Sequence, residues 1–390
     1  MKREALIPRP DWPKKMEDLG FGFHSIDGIY WDERACYSFT AAQIDVLETA
    51  TNECHQMCIA AAQYVIDKNL YAKFAIPPEF IPLIERSWSN DEATLFGRFD
   101  FSWDGGVSSA SLPNGIADSQ PKMLEYNADT PTSLIEASVA QWYWLQEVKP
   151  GADQFNSIHE KLISRFQEIA KELGTTIHFT CVGDGEEDLG NLEYLRDAAM
   201  QAGIKAKFID IAHIGWDAIA KKFADDEFQE IKTLFKLYPW EWMVREAFGR
   251  NLLNSDMRVI EPAWKMLLAN KAILPILWEL YPDHPNLLPA YFEPQKFATD
   301  FVKKPLLSRE GANVTITSSR GEIAIPGDYG AEGFIYQAYH PVPNFRANGE
   351  DNYAVIGSWI IGDEPAGIGI REDESPVTKN TSRFLPHYFE

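Results

Sequence analysis

From about Phe155 the chain alternates helix and strand signals, and that alternation limits the folds open to it. ISRFQEIAKELG reads as a helix closed by Gly174, TTIHFTCV as a strand, LGNLEYLRDAAMQAG as a helix closed by Gly203, and KAKFIDI as a further strand. Strands joined through helices predict a compact, doubly wound α/β unit. Such units place ligands beyond the carboxyl ends of their strands, where the loop GDGEEDLGN lies here. Its Glu186 and Glu187 fit two accounts, a solvated acidic loop or a pocket for an amine.

The flanks differ in pattern. A helix is expected from about Thr40 to Leu70, broken by Ala75-Ile76-Pro77-Pro78. The strands GRFDF and KMLEYN are expected to pair, and a helix Pro131–Gln146 then returns the chain. In the last third, NVTITSSRGEIAIPG, GFIYQAYHPV and NYAVIGSWIIGDEPAGIGIRED alternate β-branched and aromatic residues between glycines, as an antiparallel sheet with hairpins does. The expected class is mixed α+β and α/β: a mixed front region, a doubly wound middle unit and an antiparallel β carboxyl-terminal region.

With 36 basic and 58 acidic residues, the net charge of −22 argues against nucleic acid or an anionic membrane as the main partner. Small ligands suit it better, and a cationic one would be drawn in. The stretch MKREALIPRPDWPKKMEDLGFGF lacks the apolar core of a signal peptide, and no apolar run approaches a membrane span. Four cysteines in 390 residues are too sparse for a disulfide framework, so the expected location is cytoplasmic. Cys54 and Cys58 lie one helical turn apart, with His55 beside Cys54, but no second pair supplies further metal ligands. Core positions on an amphipathic helix account for them more simply.

Chemistry concentrates in five places: Arg98 with Asp100, Glu125 with Asn127, Lys271 in ANKAILP, Lys303-Lys304, and Arg371 in IREDES. Alternation in KMLEYNAD sends Glu125 and Asn127 to one side, with Asp129 continuing the series and Leu124 and Tyr126 opposite. Oxygen-bearing side chains at a strand-to-helix junction suit a hard cation or a phosphate-bearing ligand, although a solvated edge strand fits as well. Lysines at strand ends neutralise phosphate, and together with a magnesium cage they suggest phosphoryl transfer. No GxxxxGK[ST] occurs, which excludes a P-loop. In KKPLLSREGANVTI a strand presents a lysine, and Ser308–Gly311 then forms either a loop folding over phosphates or a plain hairpin turn.

These clusters, in this order, resemble the synthetase domain of glutathionylspermidine synthase, an ATP-grasp ligase. The likeness rests on GRFDF, LEYNADTPTS, GEED, WKMLLANKAILPILW, VKKPLLSREGANV, IYQAY and GIREDES, from about Arg98 to Ser375. It implies an ATP- and Mg²⁺-dependent ligase that joins a carboxylate to an amine through an acyl phosphate, with a peptide and a polyamine or other amine as substrates. It also implies one ATP-grasp module over 1–390, with a metal and acid-substrate region (1–150), an amine-side α/β insert (151–255) and an ATP-binding lobe (256–390). By matched position Asp100, Glu125 and Asn127 would hold magnesium, and Lys271 and Lys304 the ATP phosphates. Ser308, Arg309, Glu310 and Gly311 would form the closing loop, with Gln337 in the adenine strand. Arg98 would face the acyl acceptor region and the phosphates, and Arg371 the reacting carboxylate and transferring phosphate. Thr130 and Thr132 would hold the acid substrate, Glu186 and Glu187 the amine.

Bifunctional members carry an additional amidase domain, whereas this chain is expected to be a stand-alone ligase. Arg383 stands where a polyamine-facing acid is expected, and KLYPWEWMV matches the family's Trp-rich segment only loosely, so the ATP machinery transfers further than substrate identity. Two other functions compete: a nucleotide-binding protein without turnover, and a carbohydrate-directed hydrolase with an acid pair in an aromatic cleft. The strand-end lysines count against the hydrolase.

Overall fold

Phe96–Ser102 and Lys122–Asn127 pair antiparallel, as their sequences predict, and the hairpin Tyr353–Ile361/Glu364–Asp373 lies beside them. With Arg383–Leu385 they form a five-stranded central sheet built from both ends of the chain. The computed structural model describes residues 1–25, 28–106, 120–183 and 185–390. The carboxyl-terminal β region therefore divides. Its last hairpin belongs to the central sheet, whereas Ala290–Tyr291, Phe301–Pro305, Thr315–Ser318, Gly321–Ala324 and Phe334–Ala338 form a second antiparallel sheet. Alternation predicts a strand but carries no information on which sheet it joins.

The middle unit is parallel, in the order Arg258–Ile260, Thr233–Lys236, Thr176–Thr180, Lys205–Phe208. Helices Ile158–Leu173 and Glu186–Gln201 pack together beside it. Helix Ala41–Asp67 begins at a capping box, in which Thr40 Oγ1 accepts from the Gln43 N–H and Gln43 Oε1 from the Thr40 N–H. It packs on the central sheet, where the Thr51 and Ser358 hydroxyls meet at 2.7 Å. Cys54 and Cys58 are buried in this core, and burial pushes both thiols up. The helix expected from Pro131 starts instead at Leu134, passes through a π turn at Glu136–Ala140 and continues over Gln141–Val148. No helix among the described residues is long and apolar enough to cross a membrane.

One buried base makes the stability of this packing pH-dependent. The His387 Nδ1 lies 2.8 Å from Gln141 Oε1, and burial pulls the imidazole down from 6.5 to about 3. Such a base takes its proton only on unfolding, so its stabilising share is intact above pH 6.5 and is lost as pH falls toward 3. Wild type is expected to lose up to about 1.4 kcal/mol per pH unit from this group in urea unfolding below about pH 6. His387→Gln should lack that part of the slope; equal slopes would assign the proton linkage to other groups.

Candidate active site

Phe99 and Phe101 turn into the core, which leaves Arg98 and Asp100 on the opposite face of their strand. Phe99 stacks on Tyr126 with ring centroids 3.9 Å apart, and the register sets Arg98 opposite Asn127 and Asp100 opposite Glu125. An irregularity after Asp100 leaves Leu124 without a partner in the register. Its carbonyl accepts from Lys304 Nζ at 2.9 Å, and its side chain lines the cleft beside Glu125, where uninterrupted alternation would have turned it away. Asp129 also leaves the series. It is buried, with Oδ1 2.5 Å from Lys236 Nζ and Oδ2 accepting from the Trp240 N–H at 2.8 Å, so it anchors the KLYPWEWMV segment.

Arg98 Nε lies 2.8 Å from Asp100 Oδ1, and its Nη1 donates to the Thr132 carbonyl at 2.7 Å. It crosses the sheet over Gly357, where an added Cβ would stand 2.8 Å from Arg98 Cδ. Glu125 Oε2 is 3.0 Å from Lys271 Nζ, which also donates to the Ser308 carbonyl at 2.7 Å. Asn127 Nδ2 is 3.3 Å from Asp100 Oδ2 and 3.4 Å from Glu125 Oε1. Burial raises both carboxyls, but Lys271 and Lys304 override it at Glu125, which is held at about 2. Asp100 stays raised, because burial and the charge of Glu125 outweigh Arg98. Burial lowers Lys304 to about 8; its ammonium is gripped by Gln337 Oε1 at 2.7 Å, and Gln337 Nε2 in turn donates to the Met123 carbonyl. The donor set fits a hard dication: two facing carboxylates and an amide whose oxygen a half-turn brings to the same point.

Two chambers meet at this pair. One, of about 710 Å³, is lined by Val302, Val314, Ile316, Val342 and Val355 and ends at Lys271, Lys304 and Ser308. The other, of about 1080 Å³, is lined by Arg98, Asn127, Thr130, Thr132, Glu187, Arg309, Glu310 and Arg371. Asp100, Glu125, Gly311 and Thr378 border both. The loop Ser308–Gly311 runs along the junction, with Ser308 and Gly311 on the apolar chamber and Arg309, Glu310 and Gly311 on the polar one. Arg309 bridges Glu241 Oε1 at 3.0 Å and Thr130 Oγ1 at 2.8 Å. Gly311 has φ +70°, and a Cβ there would stand 2.6 Å from Val377 Cγ1, so only glycine lets the loop rest on that segment.

The parallel sheet meets the polar chamber with its carboxyl ends, through Val182, Leu237, Pro239 and Trp242. The expected acidic loop is the first turn of helix Glu186–Gln201, and this changes which acids face inward. Glu187 and Asp188 line the chamber, whereas Glu186 is exposed outside it; Asp184 lies outside the described residues. Burial, with Glu187 adding, pushes Asp188 up to about 6. Arg371 Nη1 donates to Ser133 Oγ, Nε to the Ser382 carbonyl, and Nη2 to the carbonyls of Lys379 and Asn380. Arg383 pairs with Glu372 at 2.7 Å and does not line the chamber. Asp188, Glu241, Trp242, Lys379 and Asn380 were not singled out by sequence. For Glu241 and Trp242 the available signal was the aromatic cluster of KLYPWEWMV, with one acid between two tryptophans.

The profile of the family described as glutathionylspermidine synthase preATP-grasp matches residues 3–390. A Haemophilus influenzae protein provisionally assigned as an acid–amine ligase is 44% identical over 408 residues, covering 100% of both chains. Trypanothione synthetase of Crithidia fasciculata is 28% identical over 83% of this chain and 52% of its own length. The bifunctional glutathionylspermidine synthetase/amidase of Escherichia coli is 28% identical over 96% of this chain and 63% of its own. The chain thus spans only about half to two thirds of those two relatives. A glutathione synthetase-like effector from Globodera pallida shares the fold at 12% identity, with a TM-score of 0.59 over 97% of this chain and 96% of its own. The chain belongs to the glutathionylspermidine synthase family of ligases, and its fold is of the ATP-grasp type.

Proposed function

We propose that the protein is an ATP- and Mg²⁺-dependent acid–amine ligase that forms an amide through an acyl phosphate. One observation carries this: an apolar chamber ending in two lysines and a polar chamber holding three arginines share a carboxylate pair at their junction. In this scheme the adenine lies among the valines, and Lys271 and Lys304 hold the phosphates. A substrate carboxylate oxygen attacks the γ-phosphorus and ADP leaves. A primary amine then attacks the acyl carbon, its proton passes to a neighbouring carboxylate, and inorganic phosphate departs. Arg98 and Arg371 offset charge on the transferring group. Asp100, Glu125 and Asn127 would hold magnesium, which would supply charge neutralisation to the phosphates. Ser308–Gly311 keeps water from the acyl phosphate.

Thr130 and Thr132 line the acid-substrate side, and Glu187 with Asp188 the amine side. The named activities of the relatives point to a glutathione-like peptide and a polyamine or diamine. The test is Mg²⁺-dependent ADP release with pools of small peptides against pools of amines. ADP formed only when one acid and one amine are both present supports the ligase; ATP bound without ADP in every combination favours a nucleotide sensor. Glu187→Ala is expected to raise the KM for the amine about tenfold and to leave that for ATP unchanged. An unaltered amine dependence would move the amine pocket elsewhere.

A further inference from the structure

Behind Arg371 lies a row of side chains that this chemistry leaves unused. Arg371 Nη1 donates to Ser133 Oγ at 3.0 Å, Ser133 Oγ and Tyr30 Oη are 3.1 Å apart, and the Tyr30 hydroxyl donates to Glu136 Oε1 at 2.6 Å. A guanidinium only donates and a carboxylate only accepts, so both hydroxyl protons are ordered toward Glu136. The Tyr30 ring also lies 5.2 Å from the guanidinium carbon of Arg371. Two local departures from regular backbone bring the parts together. Ser133 has φ +68°, and Glu136 opens the π turn.

Glu136 is fully buried, and its Oε2 has no hydrogen-bond partner among the described residues. A carboxyl in such a place costs stability that an apolar side chain of similar volume would not. Packing therefore does not explain it, whereas the ordered row ending at Arg371 does. We propose, resting on the ligase reading, that Glu136 is a positioning residue which acts through Tyr30 and Ser133 to set the orientation and hydrogen bonding of Arg371 in the chamber.

Ionised Glu136 polarises the Tyr30 hydroxyl, which draws on Ser133 and makes its oxygen a better acceptor for Arg371. The neutral acid relaxes the row. Burial pushes Glu136 up to about 7; Tyr30, its own backbone N–H and Arg371 oppose this, and Glu187 adds to it. Those groups face it from the amino-terminal segment, the helix Glu186–Gln201 and the last hairpin. Arg371 is thus held most firmly above neutral pH and loosened below it.

The test reads Arg371 directly in the full chain labelled with ¹⁵N-arginine, its Nε–H resonance being assigned by its loss in Arg371→Lys. In wild type the resonance is expected to shift with a midpoint near pH 7. In Glu136→Gln, which keeps an acceptor for Tyr30, it should stay flat from about pH 5.5 to about 8.5. Tyr30→Phe leaves Glu136 in place and should abolish the shift too. It should also lower kcat for ADP formation about tenfold with the KM for ATP within about twofold, and Glu136→Gln should remove the acidic limb of the kcat profile. A wild-type resonance that does not titrate, or one that titrates unchanged in Tyr30→Phe, overturns the proposal with or without turnover. A titrating resonance in a protein that never releases ADP overturns the ligase reading alone.

Discussion

Glu125→Gln is expected to lower Mg²⁺-dependent ADP formation by about a hundredfold or more while the fold survives. The substitution is nearly isosteric, and Glu125 borders the two chambers rather than the packed core. What it removes is charge. Glu125 is the firmly ionised member of the carboxylate pair, held at about 2, and it is the counter-ion 3.0 Å from Lys271. Losing one carboxylate from a metal cage in a water-poor site costs about 3 kcal/mol, which converts to about a hundredfold. The lysines would then repel magnesium with less opposition, so the deficit should shrink only partly at high Mg²⁺. ADP release against Mg²⁺ concentration, with circular dichroism as the fold control, makes the measurement. Unchanged release would sink the assignment of Asp100, Glu125 and Asn127 as the cage.

Lys304→Met is expected to weaken ATP binding about thirty- to a hundredfold by calorimetry in the presence of Mg²⁺. The ammonium is buried, gripped by the Leu124 carbonyl and Gln337, and has no competing carboxylate within ion-pair distance among the described residues. A phosphate arriving in the apolar chamber meets a cation already fixed in place, which makes the interaction strong. Methionine fills the volume of the stem, so the loss reports charge more than a cavity. Lys303 serves as the internal comparison. It points away and stacks on Phe334 at 3.9 Å, so Lys303→Met should leave ATP affinity within about twofold.

Much of this site was legible because its residues follow local rules. Asp100 and Glu125 sit two apart from Arg98 and Asn127, and strand alternation alone places all four on one face. The capping box at Thr40 and the helix–strand alternation after Phe155 are equally local. The failures have equally definite causes. Leu124 faces the cleft because the ladder slips after Asp100, and alternation presumes an unbroken ladder. Glu186 faces solvent and Asp188 the chamber because the helix begins at Glu186, and each residue along a helix turns the side chain by about 100°. Asp129 leaves the polar series because Lys236, more than a hundred residues away, captures it. Glu136 left a trace in the sequence, an acid flanked by Leu134, Ile135 and Ala137, yet Tyr30 could not be tied to it without the fold.

The central sheet also bears on how the protein is made. The strands bearing Asp100, Glu125 and Asn127 are complete by Asn127, but the strand that runs through its middle, Tyr353–Ile361, and the strand bearing Arg371 are made much later. A nascent chain therefore carries its carboxylates well before the arginine that shares their chamber. On the ligase reading, a cut between residue 338 and Tyr353 would separate Arg371 from the carboxylates while leaving the sheet of residues 290–338 its own hydrogen bonds.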